Sequence, residues 1–210
     1  MKFNKTQLKL YAITDRSWLK GHTLAEQVEQ AILGGVTMVQ FREKKLSYEE
    51  MLPLAKSVQA VCKQYGVPFL VNDYVELAKE LDADGVHVGQ SDLAVRQARA
   101  ILGQDKIIGA TAKTVEQAKE AVLQGADYLG SGAVFGSATK TDAKPMKREL
   151  LQEICHSVSI PVVAIGGITA DNMEGLVGCE IAGVAVISGI FSAPDIKQTA
   201  EDFRKKLVAI

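Results

Sequence analysis

The sequence has few of the residues that mark secreted, metal-stapled or membrane-embedded proteins. Only three cysteines occur among its 210 residues, at positions 62, 155 and 179, and none stands in a C-x-x-C or C-x-x-H spacing. This pattern argues against a cysteine-based zinc site and a disulfide framework, and it fits a reducing compartment. No apolar run approaches the ~18 residues of a membrane span, and the first residues carry no signal-peptide core. We therefore predict a cytoplasmic protein.

An excess of charge of either sign is also absent. The 24 basic and 25 acidic side chains leave a net charge of −1, so no overall field attracts the chain to nucleic acid or to an anionic membrane. The composition is 47% hydrophobic and 23% charged, which suffices for one sizeable core. We predict a single domain over residues 1–210 that binds small molecules. No interface stripe stands out, and the sequence leaves a homodimer open.

What the sequence does contain is a regular alternation of strand and helix patterns. Short apolar, β-branched runs that suit strands buried on both faces recur along the whole chain. They cover residues 8–14, 38–42, 68–72, 85–89, 107–112, 128–134, 161–168 and 183–189. Helical patterns lie between them, and capping boxes at Thr23 with Glu26 and at Ser47 with Glu50 predict two helix starts. The last helix is predicted to begin after Ser192, with Pro194 in its first turn.

This alternation predicts an α/β fold, the (β/α)8 TIM barrel, with a doubly wound open sheet as the alternative. In such a barrel the active site lies at the carboxyl ends of the strands. Period-two alternation would place Gln40, Arg42 and Lys44 on one face at the end of the second strand. Asp73 and Asp92 follow the third and fourth strands, where capping of the next helix is the usual role of an aspartate. Cations beside carboxylates indicate a diphosphate carried by Mg²⁺.

The later strands end in glycine-rich turns. Gly166-Gly167 follows the seventh strand and Ser188-Gly189 the eighth, where barrels commonly bind a phosphate monoester on backbone amides. A polar loop over residues 130–143 follows the sixth strand and carries one cation, Lys140, among hydroxyls. The collection of strand ends predicts a site that binds two phosphorylated groups and stabilises departing charge.

Several of these motifs, in order and at suitable spacing, closely resemble the thiamine-phosphate synthase family. They are LYAITDR at 10–16, GVTMVQFREK at 35–44, VND at 71–73, GVHVGQSD at 85–92, TKTDA at 139–143, AIGGI at 164–168 and GVAVIS at 183–188. The resemblance implies a (β/α)8 barrel. It also implies a Mg²⁺-dependent transferase that joins hydroxymethylpyrimidine diphosphate to a thiazole phosphate through a carbocation-like step, giving thiamine phosphate and pyrophosphate.

The resemblance also assigns roles to individual residues. It implies that Asp73 and Asp92 hold Mg²⁺, and that Gln40 contacts the pyrimidine. The implied diphosphate ligands are Arg42, Lys44, Asn72 and Lys140, and the implied ligands of the thiazole phosphate are Ser137, Thr139, Gly167, Ile187 and Ser188. It implies catalytic roles for Lys140, Arg42 and Thr111, and Thr111 also binds substrate.

The chain departs from the family pattern at a few positions. Ala133 and Gly136 stand where prolines are usual, and Lys113 stands where a histidine is common. In the related thiazole tautomerases that histidine does the chemistry, so its replacement disfavours a tautomerase. Two alternatives stay open: a tautomerase-like barrel, and a paralogue that binds thiamine precursors without turnover.

Overall fold

Eight parallel strands close into a barrel in chain order, and β8 pairs with β1. The computed structural model describes residues 3–89, 94–136 and 145–209. The strands are β1 (Leu10–Ile13), β2 (Met38–Phe41), β3 (Phe69–Asn72), β4 (Gly85–Val88), β5 (Ile107–Thr111), β6 (Tyr128–Gly132), β7 (Val162–Ile165) and β8 (Gly183–Val186). The predicted (β/α)8 barrel is confirmed, and the alternative of an open sheet is wrong.

Helices cover the outside of this barrel. They are α1 (Leu24–Leu33), α2 (Tyr48–Tyr65), α3 (Val75–Glu80), α4 (Val95–Leu102), α5 (Val115–Leu123), α6 (Arg148–Ser157), α7 (Ser188–Phe191) and α8 (Ile196–Lys206). Their buried faces and the outward side chains of the strands form the larger apolar core. A smaller core fills the barrel interior, with Tyr11, Met38, Leu70 and Tyr128 among its members. No helix in the described ranges is long and apolar enough to cross a bilayer.

Both predicted capping boxes are present. Thr23 Oγ1 accepts a hydrogen bond from Glu26 N at 3.2 Å, and the Glu26 carboxylate accepts one from Thr23 N at 2.7 Å. Ser47 and Glu50 make the same reciprocal pair at the start of α2. Each box satisfies two backbone N–H groups that the first turn of a helix leaves unpaired, so these helix starts could be predicted from four residues.

Several sequence-based boundaries are wrong, including the end of β7, which lies at Ile165 and not at residue 168. Helix α8 begins at Ile196, because the Asp195 carboxylate accepts a hydrogen bond from Gln198 N at 2.9 Å and so forms the N-cap. Pro194 therefore precedes the helix instead of lying in its first turn. Strand β8 ends at Val186, and residues 188 and 189, predicted as the end of the strand, are the first residues of α7. Strand β6 ends at Gly132, two residues earlier than predicted.

Gly109 in β5 provides the room for the largest side chain of the inner core. It lies beside Tyr128 of β6, and a Cβ atom at Gly109 would lie 2.1 Å from Cζ of that ring. We expect Gly109→Ala to lower the free energy of unfolding by about 1–3 kcal/mol, because the buried ring must move. Urea unfolding measures this loss. Adding Tyr128→Leu should cost less than the sum of the single changes, and strict additivity would contradict the contact.

Candidate active site

A cavity of about 210 Å³ opens at the carboxyl ends of the strands, and every strand of the barrel or the residues after it contribute to its wall. The lining residues are Tyr11, Ile13, Gln40, Arg42, Lys44, Asn72, Asp73, His87, Gly89, Thr111, Gly130, Val163, Ile165, Ala185 and Ile187. The polar and charged members come from β1 to β5 and the loops after them. Strands β6 to β8 supply aliphatic side chains and one glycine. The cavity therefore has a charged side and an apolar side.

Most of the predicted site residues that the structure describes meet in this cavity. Gln40, Arg42, Lys44, Asn72, Asp73, Thr111 and Ile187 all line it. Gly167 and Ser188 do not line it and lie in the turns that follow β7 and β8. Asp92, Ser137, Thr139 and Lys140 lie outside the described residues. Lys113 is exposed and does not line the cavity.

An ion pair joins the loops after β2 and β3. The Lys44 ammonium donates a hydrogen bond to Asp73 Oδ2, and the Asp73 side chain is 12% exposed. Asp73 has a φ of 63°, a left-handed conformation that directs the chain into α3. Tyr74 occupies the N-cap of α3 and makes no side-chain capping bond. The usual capping role is therefore wrong for Asp73, because its carboxylate contacts Lys44 instead.

Arg42 is the second cation of this wall. Its backbone N donates to Thr14 Oγ1 at 2.9 Å, which fixes the chain at the end of β2. Its guanidinium lines the cavity, and no carboxylate pairs with it in the described part of the chain. Arg42 and Lys44 lie beyond the last residue of β2, so the period-two argument does not apply to them, although both side chains reach the same cavity.

The residues at the end of β3 present oxygen atoms that suit a hard cation. Asn72 is 9% exposed, and its Oδ1 is buried without a hydrogen-bond partner among the described residues, while Nδ2 donates to the His87 carbonyl at 3.3 Å. The Asp73 carboxylate adjoins it in sequence and lines the same cavity. Amide and carboxylate oxygens fit Mg²⁺. No cluster of three or more His, Cys, Asp or Glu side chains forms a metal centre within residues 3–89, 94–136 and 145–209.

A chain of hydrogen bonds crosses the floor of the cavity. Gln40 Nε2 donates to the Tyr11 hydroxyl at 2.5 Å, and this hydroxyl lies 2.8 Å from that of Tyr128. His87 continues the chain, with Nδ1 2.9 Å from the Tyr128 hydroxyl and Nε2 3.1 Å from Thr111 Oγ1. These four contacts can be assigned in one direction, in which Tyr128 donates to His87 Nδ1 and His87 Nε2 donates to Thr111 Oγ1.

The floor carries no ionised phenol. Burial raises the pKa of Tyr11, and its hydrogen-bonded contacts with Tyr128 and Gln40 lower it by less. Burial also raises the pKa of Tyr128 well above its ordinary value. Sequence analysis missed both tyrosines and His87 as site residues. The available signal was a large polar side chain on the inward face of two strands, with Gly109 opposite one of them.

The turns after β7 and β8 approach each other closely. Gly167 has a φ of 65°, and a Cβ atom there would lie 2.7 Å from the Phe135 carbonyl oxygen. A Cβ atom at Gly189 would lie 2.3 Å from the Ile168 carbonyl oxygen. Asn172 holds the first turn by donating from Nδ2 to the Gly167 carbonyl at 2.8 Å. Glycine is thus required at both turns, and their backbones are packed against each other.

Comparison with known proteins extends the similarity over the whole barrel. A family model described as thiamine monophosphate synthase matches residues 10–190. The thiamine-phosphate synthase of Alkaliphilus oremlandii is 45% identical over 208 residues, which cover 99% of this chain and 100% of that protein. That of Ruminiclostridium cellulolyticum is 48% identical over 198 residues, 94% of each chain. A solved thiamine phosphate pyrophosphorylase from Pyrococcus furiosus has a TM-score of 0.89, with 39% identity and 97% of both chains covered.

Proposed function

This chain belongs to the thiamine monophosphate synthase family, and we propose that it transfers a hydroxymethylpyrimidine group from its diphosphate ester to a thiazole phosphate. The products are thiamine phosphate and pyrophosphate. The observation that carries the proposal is a single cavity in which Arg42, Lys44 and Asp73 lie beside the neutral hydrogen-bonded floor. A charged leaving group and an uncharged ring need these two surfaces side by side.

The chemistry requires charge stabilisation more than a base. The bond between the pyrimidine methylene carbon and the diphosphate oxygen breaks, and both electrons leave with the oxygen. The resulting carbocation is captured by the lone pair of the thiazole nitrogen, which carries no proton that must be removed. Arg42, Lys44 and Lys140 would therefore act by stabilising the negative charge that develops on the departing diphosphate. Arg42 offers a planar fork of donors for this purpose.

Asp73 and Asp92 would hold Mg²⁺ at the same wall. When bound, the ion neutralises charge on the diphosphate and orients it. Asn72 would serve both groups, because its Oδ1 has no partner and its amide nitrogen carries a second hydrogen besides the one directed at His87. The oxygen suits the ion or its water shell, and the hydrogen suits a diphosphate oxygen.

Gln40 would recognise the pyrimidine. Its Nε2 is already used on Tyr11, which leaves Oε1 to accept a hydrogen bond from an amino group on the ring. Thr111 lies at the other end of the floor, held by His87, where its hydroxyl would contact the reacting part of the substrate. The thiazole phosphate would bind at the turns that contain Gly167, Ile187 and Ser188, together with Ser137 and Thr139.

Incubation of the purified protein with both substrates and Mg²⁺ tests the proposal. We expect pyrophosphate and thiamine phosphate to form in equal amounts. A coupled pyrophosphatase measures the pyrophosphate as released phosphate, and mass spectrometry measures the thiamine phosphate. Chelation of the metal should abolish both products. Binding of the substrates by calorimetry without any product would instead support a non-catalytic paralogue. Product formed from the thiazole phosphate alone would support a tautomerase.

Small-molecule substrates are consistent with a cavity of this size, and the remaining expectations about location and assembly stay predictions. The homodimer that the sequence leaves open can be measured by analytical ultracentrifugation of the full chain. The cytoplasmic location can be measured by fractionation of cells that express it.

A further inference from the structure

A partly buried ion pair links the loops that follow β1 and β2, next to the cavity wall. Arg16 Nε lies 2.5 Å from Glu43 Oε2. The Glu43 side chain is only 7% exposed, whereas that of Arg16 is 34% exposed. A glutamate that is almost fully buried requires both a counter-ion and hydrogen bonds to remain charged. The role of Glu43 can therefore be inferred from the groups that bind its carboxylate.

The second oxygen of Glu43 binds the backbone of its own loop. Glu43 Oε1 accepts hydrogen bonds from Lys44 N at 2.8 Å and from Lys45 N at 2.9 Å. Burial raises the pKa of Glu43, but the hydrogen bonds from Arg16 and from these two backbone groups lower it further, and the net shift is downward. The carboxylate is therefore ionised at neutral pH and fully used within the protein.

The same loop is held at its other end by Thr14. The buried Thr14 Oγ1 accepts the hydrogen bond from Arg42 N, and Thr14 N donates to the Gln40 carbonyl at 2.9 Å. The backbone at Arg42 is thus fixed by Thr14 and the backbone at Lys44 by Glu43. Glu43 lies between these two residues in sequence. Within the described part of the chain, its carboxylate binds Arg16 of the β1 loop and the backbone N–H groups of Lys44 and Lys45.

We propose that Glu43, held by Arg16, is a positioning residue that directs Arg42 and Lys44 toward the diphosphate. The inference rests on the function proposed above. Loss of the carboxylate would free two backbone N–H groups and the Arg16 charge, and the loop between Arg42 and Lys44 would adopt other conformations. The cations would remain present but would no longer be held where the leaving group binds. The site for the thiazole phosphate, on the opposite strands of the barrel, would be unaffected.

Pyrophosphate with Mg²⁺ is the probe for this role, because it reports the diphosphate site without catalysis. We expect Glu43→Ala to weaken pyrophosphate binding about 10- to 100-fold by calorimetry, with a matching rise in KM for the diphosphate substrate. KM for the thiazole phosphate should stay within about twofold of the wild type, since only the loop after β2 is disturbed. A merely structural role would not separate the two KM values.

Three further variants, Glu43→Gln, Arg16→Lys and Arg16→Ala, keep the test decisive if Glu43→Ala does not fold. Glu43→Gln retains an oxygen for the backbone N–H groups but loses the charge that holds Arg16, and it should give an intermediate loss. Arg16→Lys keeps the charge and should restore most of the affinity that Arg16→Ala loses. Glu26→Ala is the matched control, because Glu26 also has a lowered pKa and accepts a backbone hydrogen bond, but lies in the first turn of α1 and not in the loop after β2.

The outcomes separate this inference from the proposed function. Folded Glu43 variants that bind pyrophosphate as the wild type does would overturn the inference alone. A wild type that binds pyrophosphate in a Glu43-dependent manner but forms no thiamine phosphate would overturn the proposed function alone. A wild type that binds no pyrophosphate contradicts both.

Discussion

Replacing Arg42 by methionine is expected to lower kcat/KM for the diphosphate substrate by about 10²- to 10³-fold. Methionine retains most of the aliphatic length of the side chain and removes only the guanidinium. That group lines the cavity without a carboxylate partner in the described part of the chain, so its charge is available to the leaving group. Steady-state kinetics at varied diphosphate substrate and saturating thiazole phosphate measure the loss.

Lys45→Met is the matched control for this change. Lys45 is an exposed cation three residues further along the same loop, and it does not line the main cavity. Solvent and salt screen its charge, so we expect kcat/KM to fall by no more than about twofold. The kcat/KM of Arg42→Lys should lie between those of Arg42→Met and Lys45→Met, because lysine keeps the charge but lacks the planar fork of donors. Equal losses in all three variants would contradict a specific role for Arg42.

Asp73→Asn is expected to lower kcat/KM by about 10³-fold. The reason is that the negative charge of Asp73 is lost both to Lys44 and to the proposed Mg²⁺. The change breaks the ion pair with Lys44 and removes the carboxylate that we propose for Mg²⁺. Calorimetry with Mg²⁺ in the presence of pyrophosphate should show metal binding weakened at least about tenfold.

Lys44→Met distinguishes the two roles of Asp73. If Asp73 only holds Lys44, removing the lysine should reproduce the whole loss of activity and leave metal binding as weak as in Asp73→Asn. If Asp73 binds the metal, Lys44→Met should weaken pyrophosphate binding while the affinity for the ion itself is retained. Asp195→Asn, at the N-cap of α8, is a matched control in which neither quantity should change.

The strand and helix pattern was predictable because its signals are local. Apolar runs five to eight residues long marked all eight strands, and the capping boxes at Thr23 and Ser47 marked two helix starts. The first and last residues of these elements were harder to predict, because several neighbouring residues could each begin a helix or end a strand. Asp195 forms the cap of α8 in place of a turn containing Pro194, and the chain after Val186 turns into α7 instead of extending β8.

Site residues were predictable where they depend only on the location of the active site at the carboxyl ends of the barrel strands. Gln40, Asn72 and Thr111 lie at strand ends and line the cavity, as the sequence indicated. Their partners were not predictable, because they depend on side-chain directions across the barrel. Tyr11 and Tyr128 meet although 117 residues separate them. The capping role considered for Asp73 failed for the same reason, since Lys44 reaches it from a different loop.

One side of the cavity wall is charged and the other is apolar, and the two sides come from different parts of the chain. Among the described lining residues, those able to bear or balance charge come from the strands before β6 and the loops after them, and the side chains that shape the opposite wall are Val163, Ile165, Ala185 and Ile187. Changes of size at these aliphatic positions would alter which ring fits the cavity while the electrostatics of the leaving group stay intact. We therefore expect substitutions in the aliphatic wall from β7 and β8 to change which substrates bind. Substitutions in the charged wall from the earlier strands should change the reaction rate instead.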